Sequence, residues 1–150
     1  MSNDCKVCRT HRGLEVVPGG VIVEDELVVA SHAQLREGQD RAYLGYLMVE
    51  TRRHIPGLAD LTEAEGSAVM HAASRLARAL MATEHAYHVY SFVIGHGVPH
   101  FHMHVVAKYP GAPREYWGPR VDEWPDAPHG GPDEIAALCA RLRGYLAAAP

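Results

Sequence analysis

Polar and apolar residues alternate strictly from His100 to His104, and Val105-Val106 continue the run. A period of two marks a half-buried β-strand. Phe101, Met103 and Val105 would pack on one side, and His100, His102 and His104 would line the other about 6.6 Å apart. Shorter stretches read the same way. Val21–Glu24 and Leu27–Ser31 are expected to be strands joined at Asp25-Glu26 in a hairpin. After a polar loop over 34–40, Tyr43–Glu50 carries Leu44, Leu47, Met48 and Val49 and reads as a third, mostly buried strand. Tyr87–Ile94, rich in aromatic and β-branched residues, is a fourth. Gly95-His96-Gly97 then turns the chain toward Pro99 and the histidine strand.

Two segments switch to helical spacing. Thr62-Glu63-Ala64-Glu65 has the form of a capping box, which satisfies the orphan amides of a helix start. Val69, Ala72, Ala73, Leu76 and Leu80 follow at the spacing of one helix face, predicting a long helix over 63–82. Gly66 within it costs up to about 1 kcal/mol relative to alanine. Pro132-Asp133-Glu134 suits the first turn of a last helix, with Ile135, Leu138, Leu142 and Leu146 as its apolar stripe. Five strands with the long helix between the third and fourth predict an α+β fold: one antiparallel sheet with helices on one side. Between them, 110–131 holds several prolines, Tyr116 and both tryptophans. So long a stretch without regular structure is uncommon unless it is functional, and its aromatics argue against disorder. Tyr116 and Trp117 are therefore expected to wall a substrate site.

At 150 residues the chain suits a single domain, 1–150. A formal charge of −4 without a Lys/Arg run disfavours binding to long nucleic acid. No apolar run reaches membrane-spanning length, and Met1 to Asp4 has no apolar core of an export signal. Three cysteines, two of them in Cys5-Lys-Val-Cys8, point to a reducing, cytoplasmic setting and a metal, not a disulfide framework.

Imidazole can be nucleophile, proton carrier or metal ligand at neutral pH, because its ordinary pKa is about 6.5. With His100-x-His102-x-His104 followed by two apolar residues, the chain resembles the histidine triad (HIT) family of nucleotide hydrolases and transferases. Glu24-Asp25-Glu26, the run from Tyr46 to His54, and Leu58-Ala-Asp-Leu-Thr62 match in order. The resemblance spans roughly 5–108 and is loose over 109–150. It implies a HIT-like fold, a homodimer, and attack on the α-phosphorus of a nucleoside phosphate derivative (a dinucleoside polyphosphate or nucleoside phosphoramidate). His102, the middle histidine, would become covalently nucleotidylated. A neutral imidazole needs only orientation of its far nitrogen for this, and a backbone carbonyl on the same strand is the expected orienter. His104 would donate to a phosphate oxygen or leaving group.

His96 stands where family members carry residues near the leaving group, and is either a proton donor or a loop residue. Gly95 and Gly97 either bring backbone amides to phosphate or merely form a turn. Ser31-His32 stand where the family places a ribose-binding aspartate, leaving His32 as a possible ligand contact. The other histidines, His11 and His129 among them, read as surface or packing residues. Lys108 and Arg114 could meet phosphate, though solvated surface is the commoner fate. A zinc-bearing branch of the family implies a structural zinc on Cys5, Cys8, His54 and His100. Two other readings stand beside the first: a zinc-dependent hydrolase in which the triad holds a catalytic metal, and a zinc-stabilised nucleotide-binding module without turnover.

Overall fold

The computed structural model describes residues 4–149; Met1 to Asn3, part of the N-terminal stretch read above, lie outside them together with Pro150. In chain order the described elements are α1 (Lys6–His11), β1 (Val21–Glu24), β2 (Val28–His32), β3 (Ala42–Tyr43), β4 (Tyr46–Thr51), α2 (Glu63–Thr83), β5 (His88–Phe92), β6 (His102–Lys108), β7 (His129–Gly130) and α3 (Pro132–Ala148). Five strands form one sheet in the order β1-β2-β4-β6-β5, with every neighbouring pair antiparallel. This is the expected α+β architecture.

Local chemistry explains the helices. At the start of α2 the Thr62 hydroxyl accepts from the Glu65 amide at 3.2 Å, and the Glu65 carboxylate accepts from the Thr62 amide at 2.9 Å. Both arms of the capping box are thus made. Val69, Ala72, Ala73, Leu76 and Leu80 are all buried, as are Ile135, Leu138, Leu142 and Leu146 of α3. Both helices cover one face of the sheet, α2 across β2, β4, β5 and β6, and α3 on α2, β1 and β2. Leu47 and Val49 of β4 join that core. Tyr46, Met48 and Glu50, one residue out of phase, face the opposite side, where they line a cavity.

Three expectations need correction. The third strand is not continuous. Gly45 adopts φ +82°, and a Cβ there would meet the Tyr109 hydroxyl at 2.8 Å and the Ala107 Cβ at 3.0 Å. The chain breaks at this close approach. Ala42–Tyr43 then pairs with His129–Gly130, while 46–51 joins the main sheet. Segment 110–131 is not structureless either: it contains two 3-10 helices, Arg114–Tyr116 and Gly118–Glu123, and β7. Finally, the histidine strand begins at His102. Ahead of it, the Phe101 amide is held by the Ile55 carbonyl at 2.7 Å and His100 Nε2 donates to the Thr51 carbonyl at 2.6 Å. These two bonds turn the His100 ring out of the row.

Candidate active site

Cys5, at the N-cap of α1, and Cys8 in its first turn point their thiols at two imidazoles. His100 Nδ1 lies 3.5 Å from each Sγ and 3.2 Å from His54 Nδ1, which is itself 3.5 Å from Cys8 Sγ. All four ligand atoms lie within 4.8 Å of one another. A tetrahedral zinc with N at about 2.0–2.1 Å and S at about 2.3 Å separates two nitrogens by about 3.3 Å and N from S by about 3.5 Å. The donor set fits that geometry. Its chemistry fits as well, since His100 gives its Nε2 proton to Thr51 and presents Nδ1 as a lone pair. Among the described residues this is the one grouping of His, Cys, Asp and Glu able to hold a metal ion.

His54 is held in place through its neighbour. Arg53 Nε and Nη2 donate to the two Glu65 carboxylate oxygens at 2.9 and 2.7 Å, tying the segment before His54 to the start of α2. The Arg53 guanidinium first, and then the Thr62 donors, hold the Glu65 carboxyl down at about 2.

On the face of the sheet away from α2 and α3 lies a cavity of about 450 Å³. β6 contributes His102 and His104, and β4 contributes Tyr46, Met48 and Glu50. Register explains the grouping, because Glu50 stands opposite His102 and Met48 opposite His104. His102 donates from Nδ1 to the His100 carbonyl at 2.7 Å, leaving Nε2 as the lone-pair nitrogen. The His104 ring stacks on Phe92 with centroids 4.7 Å apart and meets the His102 ring edge-on at 5.2 Å. Burial, and then the neighbouring His102, press the His104 imidazole down to about 4. Its Nδ1 faces the Tyr46 hydroxyl at 2.8 Å. Burial raises that phenol to about 12.

The sequence left several lining residues unnoticed. Lys6, Val7 and Thr10 of α1 form one wall, so the helix that carries the two cysteines also borders the cavity. His11 is no surface residue: its Nε2 meets Glu50 at 2.9 Å, and its ring stands edge-on to His100. Segment 110–131 does reach the cavity, through Asp122 and His129, beside Arg36 and Arg41. Arg36 pairs with Asp122 at 3.1 Å, and Arg41 donates to the His129 carbonyl at 2.6 Å. Alternation along β4 could have shown Tyr46 and Glu50 on the cavity face; the rest arrive from α1, β7 and loops, for which the sequence gives no register.

Other expected residues lie elsewhere. Gly95, His96 and Gly97 are exposed, and from their turn it is Val98 that lines the cavity. Neither Tyr116 nor Trp117 lines it. Trp117 instead donates to the Ala112 carbonyl at 2.9 Å and takes Lys108 Nζ on its ring face at 3.4 Å. Lys108 is therefore buried rather than solvated, with its charge on an aromatic face. Arg114 lies over the same indole, 5.5 Å from its centre. His32 borders the cavity, but both its ring nitrogens are bound to backbone, Nδ1 to the Ala33 carbonyl and Nε2 to the Gly45 amide.

The HIT domain family model matches residues 15–111, a span that includes the histidine row and omits Cys5 and Cys8. Solved structures agree on the fold. A zinc-bound histidine triad family protein from Mycobacterium smegmatis superposes with a TM-score of 0.70 at 22% identity, covering 96% of this chain and 94% of its own. A hypothetical histidine triad nucleotide-binding protein from Sulfolobus tokodaii gives 0.73 at 14% identity, covering 95% and 92%. A Hit-like protein involved in cell-cycle regulation from Bartonella henselae gives 0.69 at 15% identity, covering 95% and 97%. No curated protein matches the sequence closely enough to count as a relative.

Proposed function

The chain belongs to the HIT domain family, and we propose that it is a nucleotide hydrolase or nucleotidyltransferase working through a covalent nucleotidyl-His102. One observation carries the reading: the His100 carbonyl holds His102 Nδ1–H at 2.7 Å, so Nε2 is a lone pair on the wall of the cavity. That tautomer makes a nucleophile at neutral pH without a separate base. Nε2 attacks the α-phosphorus of a dinucleoside polyphosphate or nucleoside phosphoramidate. An N–P bond forms while the bond to the leaving group breaks, and the leaving group departs with the electron pair and takes up a proton. Water, or another acceptor, then attacks phosphorus, and the N–P electron pair returns to His102. His104 donates to a phosphoryl oxygen whose charge grows at each transfer.

The four-ligand set would hold a structural zinc, since four protein ligands leave no open coordination position for chemistry. This disfavours the metal-hydrolase reading, because His100 is directed to the cysteines and His102 Nδ1 to a carbonyl. Three cysteines with no disulfide among the described residues suit a reducing, cytoplasmic compartment, and no helix among those residues is long and apolar enough to cross a membrane. A homodimer fits β5, an edge strand flanked by the exposed Tyr87 and Ile94. In this reading 1–150 is one domain.

The test is to react the protein with a dinucleoside polyphosphate or a nucleoside phosphoramidate, quench in alkali, and map added mass by peptide. The nucleotidyl mass is expected on the peptide containing His102, and His102→Gly is expected to lose several orders of magnitude in turnover. Adduct on another residue, or turnover surviving in the variant, overturns the reading. Binding with no turnover by the wild type would favour the binding-module alternative.

A further inference from the structure

The donor role given to His104 requires that its free nitrogen carry the hydrogen. A neutral imidazole has one donor nitrogen and one acceptor, and the partner of one nitrogen decides the other. His104 Nε2 is buried and has no partner among the described residues. Nδ1 has one, the Tyr46 hydroxyl at 2.8 Å. Tyr46 begins β4, two residues before Met48, which stands opposite His104. It thus reaches its imidazole along the diagonal of an antiparallel pair, a span open to aromatic side chains. The two rings meet edge-on with centroids 5.6 Å apart, and Phe92 on β5 stacks on the other side of His104.

We propose that Tyr46 is a positioning residue: its hydroxyl donates to His104 Nδ1 and so fixes this imidazole as the neutral, Nε2–H tautomer beside His102. The proposal rests on the phosphoryl-transfer reading above. With the phenol donating, Nδ1 is the acceptor and Nε2 the free donor. With the bond reversed, Nε2 would be a second lone pair beside the phosphoryl oxygens and would repel them. Burial of the phenol keeps its proton in place, and burial of the imidazole disfavours a second proton on it. The titratable or charged groups around the pair are His102 on the same strand, and Asp122 and Arg36 near the phenol; Phe92 on β5 brings no charge. His104 therefore serves as a neutral hydrogen-bond donor, and the phenol also fixes the orientation of its ring.

Tyr46→Phe removes the hydroxyl and keeps the ring, so the cavity wall and the edge contact survive. We expect kcat to fall about tenfold, less than the roughly 10²–10³-fold that loss of an aligned donor itself costs, because His104 stays in place, with KM within twofold. Loss of a donor to the neutral ring frees Nδ1 to bind a proton, so the His104 titration, followed by ring-nitrogen NMR of the free protein, should move upward. A phenyl ring that merely packs would not move it. In a His104→Ala background, Tyr46→Phe should cause no further loss of kcat, because the two act as one unit. Wild-type kcat in Tyr46→Phe, a rise in KM alone, an unmoved His104 titration, or a further tenfold loss in the double variant would each overturn the proposal. Failure of the nucleotidyl reading shows separately, as turnover persisting in His102→Gly, while the NMR titration of the substrate-free protein still decides the Tyr46–His104 link.

Discussion

Removing the proposed zinc should release α1 and leave the rest of the fold standing. The helix has six residues, too few to persist alone in water. Ordering them costs roughly 6–12 kcal/mol at about 1–2 kcal/mol per residue, while burying Val7 returns at most about 2–3 kcal/mol. Its other ties among the described residues include His11 to Glu50 and edge-on to His100, Arg9 to Glu15, Gln34 to Thr10 at 3.3 Å, and a small cluster of Cys5, Val7 and Cys8 against Val98. Structural zinc sites contribute on the order of 10 kcal/mol to folding at neutral pH, enough to cover the difference. The main core is a separate cluster around Leu47, Leu76 and Leu142 and contains neither cysteine of the pair. In the Cys5→Ser/Cys8→Ser variant, or after chelation, the amides of Arg9 and Arg12, bonded to the Cys5 and Cys8 carbonyls, should lose at least about 10³-fold protection, equivalent to about 4 kcal/mol of opening energy. Amides of β4 and α2 should stay within about tenfold. KM should rise as Lys6, Val7 and Thr10 leave the cavity wall. Turnover of bound substrate should persist, because the Thr51 and Ile55 carbonyls still anchor the segment that orients His102. Hydrogen exchange by mass spectrometry, with metal content measured on the same samples, reads all of this. Purified protein containing no metal, or an α1 equally protected without it, would refute the reasoning, and so would loss of core protection together with α1.

Two further outcomes follow from named contacts. Glu65→Gln should lower Tm at pH 7 by a few degrees, since it breaks the two-pronged bond to Arg53. The sign is that of a carboxylate held below its usual range: the stabilisation is complete above about 4.5 and is lost as pH falls from there toward about 2, so the wild-type and Gln melting curves should converge in acid. Trp117→Ala should leave kcat and KM unchanged while lowering Tm, because it strips the ring face from the buried Lys108; a kinetic effect would return this residue to the substrate site.

Where a segment carries dense periodicity, its fate was legible. Leu76 and Leu80, or Leu138 and Leu142, repeat often enough to define one buried face, and tertiary packing had no reason to override them. The break between β3 and β4 was hidden because Leu44 and Tyr46 continue the apolar pattern across Gly45. Only the packing of Tyr109 and Ala107 reveals why no side chain fits there. Helix α1 was hidden for the opposite reason, being too short to show a period and owing its place to Cys5 and Cys8. Trp117 shows a different limit. Its aromatic character signals that something is buried, but not whether that is a ligand or, as found, the ammonium of Lys108.

The site divides along the same line between sequence spacing and register. Cys5, Cys8, His54 and His100 are legible as residue types suited to one ion, and they do converge. Alternation can put Tyr46 on the open face of β4, but its place beside His104 is not legible, because nothing in the sequence says which residue of β4 lies near that histidine. What spacing least discloses is that His100 works at both ends. Its ring is fixed by Thr51 at Nε2 and turned to the cysteines at Nδ1, while its carbonyl receives the Nδ1 proton of His102. An even row of three imidazoles would have left that carbonyl in the sheet ladder and the His102 tautomer unset. Starting the strand at His102 frees the carbonyl to orient one histidine while the ring faces the other residues able to hold a metal. The departure from strict alternation is thus what joins the candidate metal site to the proposed nucleophile.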